Sequence, residues 1–119
     1  MDQREAFRVL ASADRQLVLH ELVERGGEAT VETLSRQVAA RRHRIPSTTV
    51  DADKVARARI RLVHIHVPIL QETDVATVDY DEEAVILTEN ASLDRLFDAA
   101  DQLDSWPPDD LLKQPSESR

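Results

Sequence analysis

Residues 31–72 read VETLSRQVAARRHRIPSTTVDADKVARARIRLVHIHVPILQE, and this stretch decides the fold. Its first part places Val31, Leu34 and Val38 at i, i+3 and i+7, the spacing of one helical face, with Thr30 available as N-cap. Arg41 and Arg42 fall in the last turn, where cations complement the negative end of the helix dipole. His43 to Val50 contains Pro46 and three hydroxyl residues and reads as a loop. A further helix is predicted from about Asp51 to Glu72. On a wheel of about 100° per residue, Lys54, Arg57, Arg61, His64, Pro68 and Gln71 share one arc. Val55, Ile60, Leu62, Val63, Val67, Ile69 and Leu70 fill most of the remainder, which predicts a helix packed on both flanks with a narrow polar stripe left open. Pro68 removes a donor and crowds the preceding turn, so a kink or an early end is expected there.

Toward the N-terminus, residues 4–11 read as a short helix with Phe7 and Leu10 at i, i+3. A second helix is expected after Ser12, a suitable N-cap, running to Arg25 with Val18, Leu22 and Val23 inward and Glu21 paired to Arg25. Gly26 and Gly27, the only glycines in the chain, end it, since glycine takes positive φ at no steric cost. Glu28 to Thr30 is a short extended piece. Toward the C-terminus the apolar period changes to two: Thr77–Tyr80 and Ala84–Leu87, separated by Asp81, Glu82 and Glu83, form a hairpin. Leu93, Leu96, Phe97, Ala100 and Leu103 then mark a last helix rich in Asp. From Ser105 the pattern collapses, so residues 1–104 read as one domain and 105–119 as a mobile acidic, Pro-containing tail whose Trp106 is placed to dock back.

Composition narrows the function. The chain has 119 residues and a formal net charge of −8. No Cys is present, which excludes disulfides, thiolate metal sites and cysteine catalysis. Four aromatic side chains, Phe7, Tyr80, Phe97 and Trp106, are too few for a single-strand stacking platform. No uncharged apolar run approaches the roughly 20 residues a bilayer requires, and the first residues do not resemble a signal peptide, so a cytoplasmic protein is expected. Thirteen Arg against two Lys, with abundant Asp, point to a salt-loving source, with a merely acidic composition as the competing reading.

The charge is unevenly placed. Residues 1–72 hold twelve basic and ten acidic side chains, net +2, whereas residues 73–119 hold three and thirteen, net −10. Positions 36–61 alone carry eight basic side chains against Asp51 and Asp53, a net +6 island that points to an anionic partner. The order helix, helix, short strand, helix, helix, hairpin, helix is that of a winged helix-turn-helix, mainly α with a small β-hairpin wing, and the island coincides with its helix-turn-helix unit.

Three segments carry a family resemblance: Leu34 to Arg41 (LSRQVAAR), Leu62 to Leu70 (LVHIHVPIL, close to L-x-x-x-H-L-P-K-L) and Val78 to Asp81 (VDYD). Over about residues 5–103 the chain resembles a haloarchaeal winged-helix family, catalogued as a domain of unknown function and related in shape to ArsR-type regulators. The resemblance implies a DNA-binding-like fold and transcriptional regulation. The chain departs from the pattern at Ile69, where Lys is usual, and at Asp74, where Gly usually turns the chain into the wing.

The expected function is therefore duplex-DNA binding and transcriptional regulation, with recognition helix 51–72 and contacts from Arg41, Arg42, Arg44, Lys54, Arg57, Arg61 and His64. The apolar stripe Leu93, Leu96, Phe97, Ala100 and Leu103 is expected to pair two copies. The acidic hairpin tip, Asp79, Asp81, Glu82 and Glu83, would repel a phosphate backbone. It supports the alternative of a winged-helix module that binds a protein and not DNA. His66 is expected to be a buried structural histidine. His64 and His66, two apart on a helix, point about 200° away from each other and form no metal pair. Neither a cofactor nor catalysis is expected, because no phosphate loop, G-x-S-x-G or H-E-x-x-H occurs.

Overall fold

The computed structural model describes residues 1–103 and Trp106; the expected mobility of the tail otherwise concerns residues outside the described set. Helix α1, Gln3–Leu10, begins with a capping box in which Asp2 accepts from Glu5 N while the Glu5 carboxylate accepts from Asp2 N. Helix α2, Ala13–Glu24, starts on Ser12 as expected and stops at a Schellman closure. There Gly27 N–H donates to Leu22 O at 2.7 Å, with Gly26 at φ +82° and Gly27 at φ +103°. Strand β1, Glu28–Thr30, leads into helix α3, Val31–His43, with Thr30 as N-cap. Arg25 and Glu21 form the anticipated i, i+4 pair at 3.1 Å.

The region read as one helix from Asp51 is helical from end to end but not uniformly so. Helix α4 is Ala52–Arg61, Leu62–His66 form a π-helical turn, and helix α5 is Val67–Glu72. The expected interruption thus falls just before Pro68 and ends nothing. Val67 N–H reaches back five residues to Leu62 O, a widened turn of the kind that lets a proline follow without breaking the helix. The turn also shifts every later side chain by about one position on the wheel. At the far end, Val75 N–H donates to Leu70 O at 2.8 Å and Asp74 sits at φ +65°. Asp74 therefore supplies a left-handed turn at the end of α5 without a glycine.

Strands β2, Ala76–Asp79, and β3, Ala84–Leu87, form the expected hairpin, and β1 joins it to give an antiparallel sheet in the order β1-β3-β2. Ala29 and Val78 both register on Val85, which is fully buried. Helix α6, Ala91–Ala100, starts on Asn90 and returns to pack on α1, while α3 packs on α4. The result is a mainly helical chain with a small three-stranded antiparallel sheet. Its core centres on α2, where Leu17, Val18, Leu19 and Leu22 are all buried. Val23, expected inward, is instead 46% exposed, because the neighbours of α2 cover the arc through Leu19 and Leu22 and not the next 100°.

The stripe on α6 serves its own chain. Leu96 and Ala100 are fully buried, Leu93 and Leu103 pack against the same core, and the Phe97 ring meets Trp106 at 5.7 Å. The five residues expected to join two copies thus pack, fully or in part, against their own chain, with α6 lying on α1. Trp106 does dock back, half-buried, with its ring edge-on to His20 at 6.1 Å.

Candidate nucleic-acid interface

The basic residues picked out by the sequence divide into an inward and an outward group. Asp14, in the first turn of α2, draws the inward group together. Its Oδ2 lies 3.0 Å from Arg42 Nη1, 3.7 Å from Arg61 Nε and 3.6 Å from His66 Nε2, and only 12% of its side chain is exposed. The His66 ring, Arg42 and Arg61 hold this carboxyl below the ordinary range of an aspartate, against the opposing effect of its burial. On the other side of the ring, Arg15 Nη1 donates to His66 Nδ1 at 3.2 Å. A guanidinium can only donate, so Nδ1 carries the lone pair and the proton sits on Nε2, facing Asp14. Arg15 also donates to the carbonyls of Val9 and Arg8, and Gln16 to that of Leu10, so the C-terminal end of α1 is capped by side chains of α2. His66 is thus the buried structural histidine that its apolar surroundings imply.

Arg41 is likewise turned in. Its Nη2 lies 3.4 Å from Glu21 Oε2, and both side chains are about one-tenth exposed. Arg36 pairs with Glu32 and also donates to Ser47 O, tying α3 to the loop before α4. Lys54 is half-buried, and its Nζ returns to Asp51, the N-cap of α4, at 3.0 Å. Asp51 is lowered below the ordinary aspartate range by that capping hydrogen bond from the Lys54 backbone N–H and by the Lys54 ammonium.

The outward group is smaller. Arg57 and His64 are exposed, and no ion pair or hydrogen bond engages either side chain among the described residues. Arg44 is exposed at the left-handed end of α3, at φ +58°. The outward line of α4 therefore runs Asp53, Ala56, Arg57, Ile60 and His64, not Lys54, Arg57, Arg61 and His64. Two apolar residues expected to be packed are exposed there: Ile60, on that line, at 59% and Val63, beside it, at 38%. The physical cause is that Val55, Ala58 and Leu62 alone satisfy the core, while ion pairs anchor the helix on both sides. One is Arg61 to Asp14; the other is Arg59 to Glu83 at 2.9 Å.

That second pair ties α4 to the hairpin and revises the reading of its acidic tip. Glu83 is spent on Arg59, and Asp79 Oδ1 accepts from the backbone N–H groups of Asp81 and Glu82, closing the turn. Asp81 and Glu82 remain as exposed acids, beside Tyr80 at 77% exposure. Between hairpin and helix lies a groove of about 470 Å³ lined by Val63, Val67, Pro68, Val78 and Tyr80, with the Arg59–Glu83 pair on its rim.

Sequence reasoning missed Asp14, Arg15 and Ile60. Asp14 and Arg15 sit at the start of a helix whose following residues, Leu17 to Leu19, are uniformly apolar, an unusual place for a charged pair. Ile60 carries no signal of its own, being indistinguishable from a core residue in the pattern. No helix among the described residues is long and apolar enough to cross a membrane.

A family model described as a domain of unknown function (DUF7344) matches residues 7–88, from α1 through the hairpin, and the chain belongs to this family. No curated protein and no solved structure gives a significant match.

Proposed function

We propose that the protein is a transcriptional regulator of the ArsR-like winged-helix kind that binds duplex DNA, with α4 and the π turn as recognition element and the β2–β3 hairpin as wing. The observation that carries this reading is the outward face of α4. It presents Arg57, unpaired among the described residues, between Ala56 and Ile60, on the second helix of an α3–loop–α4 unit and beside a hairpin. A guanidinium there has the reach and fork geometry for guanine O6 and N7, or for phosphate; Arg44 adds a second cation to the surface and His64 a ring that can hydrogen-bond. Arg42, half-exposed at 49%, reaches the same surface while paired to Asp14. The salt-loving source suggested by the composition fits this division, because counterion release contributes little in strong salt and base-edge contacts carry more of the affinity.

The test is fluorescence anisotropy of the full chain on duplexes enriched from a random pool. Arg57→Ala should weaken binding by about 1 to 3 kcal/mol, the range of a good bidentate base contact. Unchanged affinity would remove α4 from the interface.

A protein partner is the second reading, favoured by the exposed Tyr80 and the apolar groove under it. With Asp81 and Glu82 at the rim, the matching partner is a segment with an apolar side chain flanked by Lys or Arg. Tyr80→Ala would abolish capture of such a segment.

A further inference from the structure

Ile60 is the most exposed aliphatic side chain among the large described hydrophobics, at 59%, and it stands in the middle of the outward line of α4 with Arg57 three residues before it and His64 four after. Local stability does not explain it: a β-branched residue is a poorer helix former than Ala, Lys or Arg, and Val55, Ala58 and Leu62 already fill the core on the opposite side. A protein interface does not explain it well either, since a stable one buries on the order of 1,000 Å² or more, and Ile60 has the polar Arg57 and His64 beside it at i−3 and i+4. A branched apolar side chain between an arginine and a histidine instead matches the major groove of DNA, where thymine alone offers a methyl group among hydrogen-bonding edges and phosphates.

On the reading that α4 enters duplex DNA, we infer that Ile60 is a specificity residue that packs on the 5-methyl group of a thymine. Three helical residues span about 4.5 Å, a little more than one base step of about 3.4 Å, so Arg57 and Ile60 reach bases one or two pairs apart. Enriched duplexes should accordingly carry a guanine and a thymine at that separation. Val63, 38% exposed and turned to the groove beside the hairpin, lies off this line and serves as the control.

The experiment replaces each thymine of the enriched duplex by uracil, which pairs identically and lacks only the methyl. Wild-type protein should lose about fourfold in affinity at one position, the factor that one buried methyl corresponds to. Ile60→Ala should bind the thymine duplex more weakly than wild type and show no further loss with uracil there. Val63→Ala should keep the full uracil effect. Equal uracil sensitivity in wild type and Ile60→Ala, or a duplex indifferent to uracil everywhere, overturns the inference. Should Arg57→Ala abolish binding while uracil is silent, duplex binding stands and only the role of Ile60 falls. Should no duplex be enriched at all, both fall together. Thermal unfolding of Ile60→Ala indistinguishable from wild type keeps the comparison free of folding effects.

Discussion

Helices α4 and α6 each carry a stripe that the sequence assigns to a partner, basic on α4 and apolar on α6. The structure treats the two differently. The α6 stripe is used within the chain, with Leu96 and Ala100 buried against the core that α1 shares and Leu93, Phe97 and Leu103 partly buried beside them. The α4 stripe is split: Arg61 turns to Asp14, and Arg57, one turn earlier, stays in solvent. Apolar periodicity states that a face is covered and is silent on what covers it. Charge periodicity is weaker still, because an arginine is long enough to leave its face for a carboxylate on another element. An excess of positive charge therefore locates a region, and only the positions of the acids show which guanidinium groups remain free.

The largest effect should come from α6. Leu96→Ala should lower the unfolding free energy by about 3 kcal/mol, within the range of Leu→Ala substitutions at fully buried sites. Urea denaturation at several protein concentrations checks it. The midpoint should not move with concentration, since the lost contacts lie within one chain, and a rise with concentration would return α6 to a role between copies.

Next is Asp14→Ala, with an expected cost of about 2 kcal/mol, below the roughly 3 to 5 of a fully buried pair because Arg42 is half in water. The deletion strands Arg61 and His66 beside one another without their anion. The pH dependence follows in sign. The folded-state pKa of Asp14 is depressed, so its contribution is present above the unfolded value near 3.9 and is lost as pH falls through the folded value. Between pH 5 and pH 3 the wild type should lose more stability than Asp14→Asn, whose amide does not titrate. Parallel pH profiles would show that Asp14 is not coupled to its neighbours.

Most of the fold was legible because local chemistry writes it. Ser12 and Thr30 cap where they should, Gly26 and Gly27 take the positive φ that ends α2, and the change of period at Asp74 marks the hairpin. The π turn was not legible beyond a warning at Pro68, since its widened bond is a compromise between the proline and packing on both sides of it. The site was half legible. The island at positions 36–61 does lie on α3, the loop and α4, but its partners, Asp14, Glu21 and Glu83, are 20 to 28 residues away from Arg41, Arg42 and Arg59 in sequence and 47 from Arg61. No periodicity connects them. The same blindness hid that Asp79 closes its own turn and Glu83 holds α4, which leaves Asp81 and Glu82 as the exposed acids of the tip.

The smallest effect belongs to that last contact. Arg59 and Glu83 are 43% and 64% exposed as side chains, so a double-mutant cycle with Ala at each should give a coupling of only about 0.2 to 1 kcal/mol, the range of exposed pairs. The interest lies in where the energy acts. Glu83 is at φ +50°, the last residue before β3, and its carbonyl also accepts from Val31 N at 2.7 Å, so one residue joins the hairpin to the start of α3 and to the last turn of α4. Glu83→Gln keeps the backbone bond and removes the charge. Hydrogen exchange of the hairpin amides should then quicken modestly, with α2 unchanged. Equal protection in Glu83→Gln and wild type would mean that the backbone register alone fixes the hairpin beside α4, and that the Arg59–Glu83 contact is incidental to its geometry.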